Sequence, residues 1–163
     1  MVGKWKLNTQ KADREFWIWL AGFVDGEGSI LVSNYIRDRD GKLRVVPEVM
    51  IANTSKIVMT NIAETLDMPL YERKREDRKW IYDMRIRKNG NIVLFLEKII
   101  PYLKIKRVQA ELLYAYCKSR TDRPWRSEYT QEELEIFAKI REINSIHGRS
   151  RYNPLNPLKD PSR

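Results

Sequence analysis

From Phe16 to Val24 the chain reads Phe-Trp-Ile-Trp-Leu-Ala-Gly-Phe-Val, an unbroken apolar run entered through Asp13 and left through Asp25-Gly26-Glu27-Gly28. A helix built from such a run is apolar on every side, so every side needs cover. Asp13 is the candidate N-cap. A chain of 163 residues is the length of one ordinary domain. One side of the helix then reaches that domain's core, and the other requires something else. Gly22 and Gly26, one turn apart, put a stripe without side chains on that second side, where another backbone can come close. The bland alternative is a helix central to its own domain.

After Gly28 the period changes to two. Ser29 to Arg37 alternates, with Ile30 and Val32 on one face and Ser33, Tyr35 and Arg37 on the other. Asp38-Arg39-Asp40-Gly41 is turn-forming, and Leu43 to Ala52 returns with Val45, Pro47, Val49 and Ile51 opposite Arg44, Val46, Glu48 and Met50. Pro47 argues for a bulge or an edge position. Asn53, Thr54 and Ser55 cap a helix through Val58, Met59, Ile62 and Leu66, which Pro69 stops. The unit then repeats. A charged hairpin spans Leu70 to Lys88, with Arg73 and Arg75 on its first strand and Asp83, Arg85 and Arg87 alternating with Tyr82, Met84 and Ile86 on its second. A helix from Asn91 to Ile100 buries Ile92, Phe95, Leu96 and Ile99.

The order αββαββα predicts an α+β fold: a four-stranded antiparallel sheet with helices on one face and polar side chains on the other. Beyond Pro101 come a helix to about Lys118, a break at Asp122-Arg123-Pro124, and a last helix opened by the capping box Thr130 to Glu133. That helix runs to Gly148 through Leu134, Phe137, Ile140 and Ile143. Residues 1–148 are expected to form one domain, and the basic tail 149–163, with Pro154, Pro157 and Pro161, to be disordered.

Charge narrows the partner. With 31 Lys and Arg against 22 Asp and Glu, the net +9 favours a polyanion. Residues 71–88 carry eight cations against four acids and 101–126 carry seven against two, whereas 127–147 carry two against five. The basic surface therefore belongs to the second hairpin and the segment before the last helix. One cysteine, Cys117, and one histidine, His147, leave no disulfide framework, no Cys/His zinc site and no histidine-rich nuclease centre. Trp80, Trp125, Cys117 and His147 read as packing or surface residues. No signal-peptide pattern and no membrane-length apolar run is present, so the expectation is an intracellular protein, cytoplasmic or organellar, neither secreted nor membrane-bound.

Leu20-Ala21-Gly22-Phe23-Val24-Asp25-Gly26-Glu27-Gly28-Ser29 resembles the LAGLIDADG signature, with Glu27 where the signature closes on an acid that is commonly Asp. Pro101-Tyr102-Leu103-Lys104-Ile105-Lys106-Arg107-Val108-Gln109-Ala110 is similar to a second conserved segment of single-motif homing endonucleases. The resemblance implies an intron-encoded endonuclease that acts as a homodimer, packed through Trp19, Gly22, Phe23 and Gly26, on a long pseudo-palindromic site in double-stranded DNA. It implies Mg²⁺ held by Glu27 and the Gly26 carbonyl, with Mn²⁺ able to substitute, Ca²⁺ binding without supporting cleavage, and no small-molecule cofactor. Lys106 matches the lysine that organises water at the scissile phosphate, and Lys104 is its neighbouring competitor. The glutamine that relatives place at the end of the second strand falls on Asn53, or on Ile51 as the alternative.

Base reading by the polar face then involves Ser33, Tyr35, Arg37, Arg44, Glu48, Arg73, Arg75, Asp83, Arg85 and Arg87, with Lys104 also touching DNA. Maturase activity on intron RNA and DNA-binding regulation are the competing functions. Retention of Glu27 and Lys106 favours cleavage.

Overall fold

The computed structural model describes residues 6–76, 79–124 and 126–147. The expected tail 149–163, Gly148 and Trp125 lie outside the described residues. α1 (Arg14–Glu27) starts at Asp13, whose carboxylate accepts the Phe16 N–H at 2.8 Å, and ends at Gly28, whose N–H donates to the Val24 carbonyl. A Cβ at Gly28 would lie 2.8 Å from both the Val24 oxygen and its Cγ1, so only glycine fits. The chain passes from helix to strand there without a loop.

β1 (Gly28–Arg37) and β2 (Lys42–Asn53) pair antiparallel in unbroken register from Gly28 against Ile51 to Arg37 against Lys42. The turn between them bends at Gly41, φ 62°, and Asp40 gathers it by accepting from the Lys42 N–H at 3.1 Å and from the Arg44 guanidinium at 2.8 Å. Pro47 sits opposite Val32 with no bulge. It occupies an edge position all the same, because β2 pairs with its second neighbour only from Val49 onward.

α2 (Lys56–Thr65) is capped by Ser55, with Asn53 bracing the turn before it. Its stop is not Pro69. Asp67 takes the left-handed conformation, φ 51°, and the Met68 N–H returns to the Ala63 carbonyl at 2.9 Å, ending the helix before the proline is reached.

β3 (Tyr71–Lys74) and β4 (Trp80–Ile86) complete a sheet of order β1-β2-β4-β3. Because Val49 pairs with Ile86 and Asn53 with Tyr82, the two hairpins overlap only at their bases and their tips extend in opposite directions. Helices α1, α2 and α3 (Asn89–Ile99) cover one face, where Leu20, Val24, Val49, Ile51, Met84, Ile86, Phe95 and Leu96 are fully buried. A 3₁₀ turn (Ile100–Tyr102) leads toward α4 (Arg107–Thr121) and α5 (Gln131–His147).

The capping box of α5 closes in both directions: the Thr130 hydroxyl accepts the Glu133 N–H at 3.1 Å and Glu133 accepts the Thr130 N–H at 3.0 Å. Glu133 is buried, and it also takes the Ser119 hydroxyl at 2.8 Å and Arg123 at 3.0 Å, which joins α4 to α5. α5 lies against β1 on the helical side of the sheet, where Asn144 donates to the Ile30 carbonyl at 2.9 Å. Among the described residues no helix is long and apolar enough to cross a membrane.

Candidate functional site

The end of α1 collects charge. Asp25 points inward, 9% exposed; one of its oxygens accepts the Lys104 N–H at 2.7 Å and the other the Lys106 N–H at 2.9 Å. Burial pushes its carboxyl up, but the backbone donors of Lys104, Lys106 and Ile105 together hold it below the ordinary carboxylate value. The Lys106 side chain folds back over the same helix end, its ammonium donating to the Val24 carbonyl at 3.1 Å and to the Asp25 carbonyl. Burial lowers that ammonium from its ordinary value, while the charges of Asp25 and Glu27 pull it back up.

Glu27 is exposed at the last position of α1, beside the exposed Gly26. A helix C-terminus already carries partial negative charge. Glu27 adds a full one, and Lys106 is the cation stationed next to it. Lys104, its competitor, gives only its backbone to Asp25 and leaves its side chain exposed. Asn53 is half-buried at the end of β2, with its carboxamide oxygen engaged by the Ser55 N–H at 2.9 Å. Ile51, the alternative for that position, is fully buried against the core and is thereby excluded.

Among the described residues no three His, Cys, Asp or Glu side chains converge on a metal. The chain offers the Glu27 carboxylate and the last-turn carbonyl of Gly26, hard oxygen donors of the kind Mg²⁺ takes, and these fit as part of a ligand set completed from outside the chain.

On the open face of the sheet, strand alternation groups Ser33, Tyr35 and Arg37 with Arg44, Glu48, Arg73 and Arg85. Ion pairs organise this face. Arg37 and Arg44 both hold Asp40, and Arg87 holds Glu48. Asp83 differs from the sequence reading: it is fully buried beneath two guanidiniums, accepting the Nε of Arg73 at 3.1 Å and the Nε of Arg85 at 2.6 Å. It orients arginines and does not offer its own oxygens to a ligand. Arg75 and Arg87 also depart from it, each standing one residue past the end of its strand. Sequence reasoning passed over Leu31, Ala52 and Tyr71, which share the open face by alternation.

The outward side of α1 is uncovered. Ile18 and Trp19 are 42% and 45% exposed, Phe23 stacks on Trp19 with ring centroids 5.3 Å apart, and a Cβ at Gly22 or Gly26 would meet nothing within 4 Å. Ile105, next to the Asp25-bound backbone, and Val108 are exposed as well. Their signal in the sequence was apolar residues set among lysines and arginine. Exposed apolar side chains beside two bare glycines make this side of α1 a candidate interaction surface.

The family model described as LAGLIDADG endonuclease matches residues 20–121. The chain belongs to that family. The DNA endonuclease I-CvuI of Chlorella vulgaris is 32% identical over 103 residues, which is 61% of this chain and 62% of that protein. The match therefore spans less than two thirds of that relative. The solved structure of I-CvuI in complex with its target in the presence of 2 mM Ca aligns with a TM-score of 0.63 and 24% identity, covering 90% of this chain and 88% of that one. The archaeal intron-encoded homing endonuclease I-Vdi141I, complexed with DNA, gives 0.67 and 18%, covering 88% and 92%. At these identities the structural likeness is one of fold, and the αββαββα order with its four-stranded antiparallel sheet is that fold.

Proposed function

We propose that the chain is a site-specific endonuclease that works as a homodimer and hydrolyses both strands of a long pseudo-palindromic DNA duplex with a divalent metal, Mg²⁺ by preference. The position of Glu27 carries this reading: it stands exposed at the loop-free junction of α1 and β1, between the uncovered apolar side of the helix and the open face of the sheet. A twofold-related copy packed on α1 makes an isologous contact and brings a second Glu27 alongside the first. A divalent metal bound there supplies Lewis-acid polarisation of a phosphoryl oxygen.

The protein's own residues divide the remaining work. Glu27 and the Gly26 carbonyl would hold the cation. Lys106, fixed by two helix carbonyls, keeps positive charge beside the scissile phosphate. Asn53, the candidate for the polar position at the end of β2, pairs with Tyr82 on the face that Ile51 shares and has its carboxamide oxygen taken by the Ser55 N–H, which leaves its NH₂ group for such a role. Arg73 and Arg85, each tied through Nε to Asp83, present forks suited to guanine edges, and Ser33, Tyr35, Arg37, Arg44, Glu48, Arg75, Arg87 and Lys104 extend the contact. The extra methylene of Glu27 relative to Asp is to be taken up by a different side-chain rotamer or a slight shift of the DNA. I-CvuI structures obtained with 2 mM Mg or 2 mM Ca support divalent ion use. Mn²⁺ is expected to replace Mg²⁺, and Ca²⁺ to bind without cleavage. The site of action is intracellular, wherever the host DNA lies.

The test is incubation with Mg²⁺ and a duplex made by joining the sequences that flank the reading frame. Both strands should be cut. Binding without cutting would sink the nuclease reading and favour a maturase or a regulator.

A further inference from the structure

We propose that the recess between the tip of the β1–β2 hairpin and the α4–α5 connection binds DNA phosphates beyond the stretch that the sheet reads. The inference rests on the nuclease reading, which supplies the duplex. The recess encloses about 700 Å³, and its lining carries six Lys or Arg against two acids. Asp40, one of those acids, is already neutralised between Arg37 and Arg44.

The far wall is a built feature. Tyr129 accepts the Val45 N–H through its hydroxyl at 2.9 Å, its ring lies 4.8 Å from the Arg120 guanidinium, and Arg120 donates to the Ser127 carbonyl at 3.1 Å. The 127–129 segment, without regular secondary structure, is thus fastened to both β2 and α4. Arg39 and Lys42 stand exposed at the near rim, with Arg126 exposed across the recess.

Position identifies the ligand as backbone. β1 runs from Gly28, adjacent to Glu27, to Arg37. At about 3.3 Å per residue that is about 30 Å, or roughly nine base pairs at 3.4 Å each. A duplex laid along the hairpin from the cutting point leaves the strands there, so no strand remains to reach base edges. Fixed cations against phosphates position a duplex without reading it.

The experiment uses the duplex recovered by cleavage in two lengths, one reaching about fifteen base pairs from each cut and one stopping about eight from it, bracketing the nine-base-pair span of the hairpin. Parent protein and the double variant Arg39→Gln/Lys42→Gln are compared in Ca²⁺ by binding across salt and by hydroxyl-radical footprinting. Two phosphate contacts per protomer, four in the dimer, contribute about 3.6 to the slope of log affinity against log salt. On the long duplex the parent should therefore lose on the order of a hundredfold more affinity than the variant between about 50 and 200 mM salt. It should also protect backbone about nine to twelve base pairs from each cut, protection that the variant lacks. On the short duplex the two proteins should bind alike, which also shows that the variant is folded. Equal slopes and equal outer protection on the long duplex overturn this proposal alone. No binding of either duplex by the parent overturns the nuclease reading and this one with it.

Discussion

Replacing Asp25 by Asn should destabilise the protein by about 3 kcal/mol, because both of its oxygens face backbone donors. Whichever way the asparagine amide is turned, one NH₂ group opposes a backbone N–H, that of Lys104 or that of Lys106. One charge-assisted hydrogen bond is lost, about 1.5–3 kcal/mol, and a buried donor is left facing another, at a further ~1–3 kcal/mol. Partial relaxation of the loop places the sum near 3. For a chain of this size each kcal/mol moves Tm by about 2–4 °C, so a fall of about 6–12 °C is expected in calorimetry at pH 7. The effect also has a pH signature. The folded carboxyl is held below its ordinary value of 3.8, so its contribution is complete above that value and is lost as pH falls through the folded one. Parent and variant should therefore converge in acid. A Tm within about 2 °C of the parent at pH 7 would refute the role given to the three backbone donors.

Gly22→Leu should leave the monomer's circular dichroism unchanged, since a Cβ there meets nothing within 4 Å, while sedimentation shifts from dimer to monomer and double-strand cutting is lost. A parent that sediments only as monomer, with and without DNA, would refute the interface. Glu27→Gln should retain DNA affinity in Ca²⁺ and lose more than about a thousandfold in cleavage rate with Mg²⁺, with Lys106→Met somewhat less impaired; near-parental cutting by the glutamine variant would dismiss the site. Arg73→Ala should cost about 1–3 kcal/mol and relax preference at one position per half-site, and Asp83→Asn, which frees the same arginine, should relax that position too. Uniform weakening across singly substituted sites would reduce Arg73 to a phosphate contact.

What was legible in the sequence was local. Asp13 capping α1, the alternation of Ile30 and Val32 against Ser33 and Tyr35, and the reciprocal Thr130–Glu133 box each depend on residues within a few positions of one another. The apolar run of α1 also announced a side that its own domain leaves open, and Trp19 and Ile18 stand on it. Non-local contacts stayed hidden. Alternation assigns Asp83 to a face but says nothing of two arginines closing over it. The role of Asp25 depends on backbone 79 residues away. Asp67 ends α2 through a left-handed turn that no glycine signalled. The recess at the hairpin tip joins a turn to a connection more than eighty residues later, the Val45–Tyr129 bond spanning 84 positions.

In the proposed dimer, catalytic geometry would be inherited from packing geometry. Gly22 and Glu27 are five residues apart on one helix, about 7.5 Å along its axis, and Gly28 admits no side chain, so the carboxylate is held at a set distance from the glycine stripe. If two such helices meet at Gly22 and Gly26, their axes approach to about 8 Å, the near limit for helix pairs. In the proposed dimer the two Glu27 carboxylates would lie on either side of the twofold axis, each able to reach a different strand, which is what a double-strand cut requires. Lys106 follows automatically, because its ammonium is tied to carbonyls of the same helix end and its backbone to Asp25. On the proposed dimer, a change that moves α1 against the second copy would therefore move both halves of the site together.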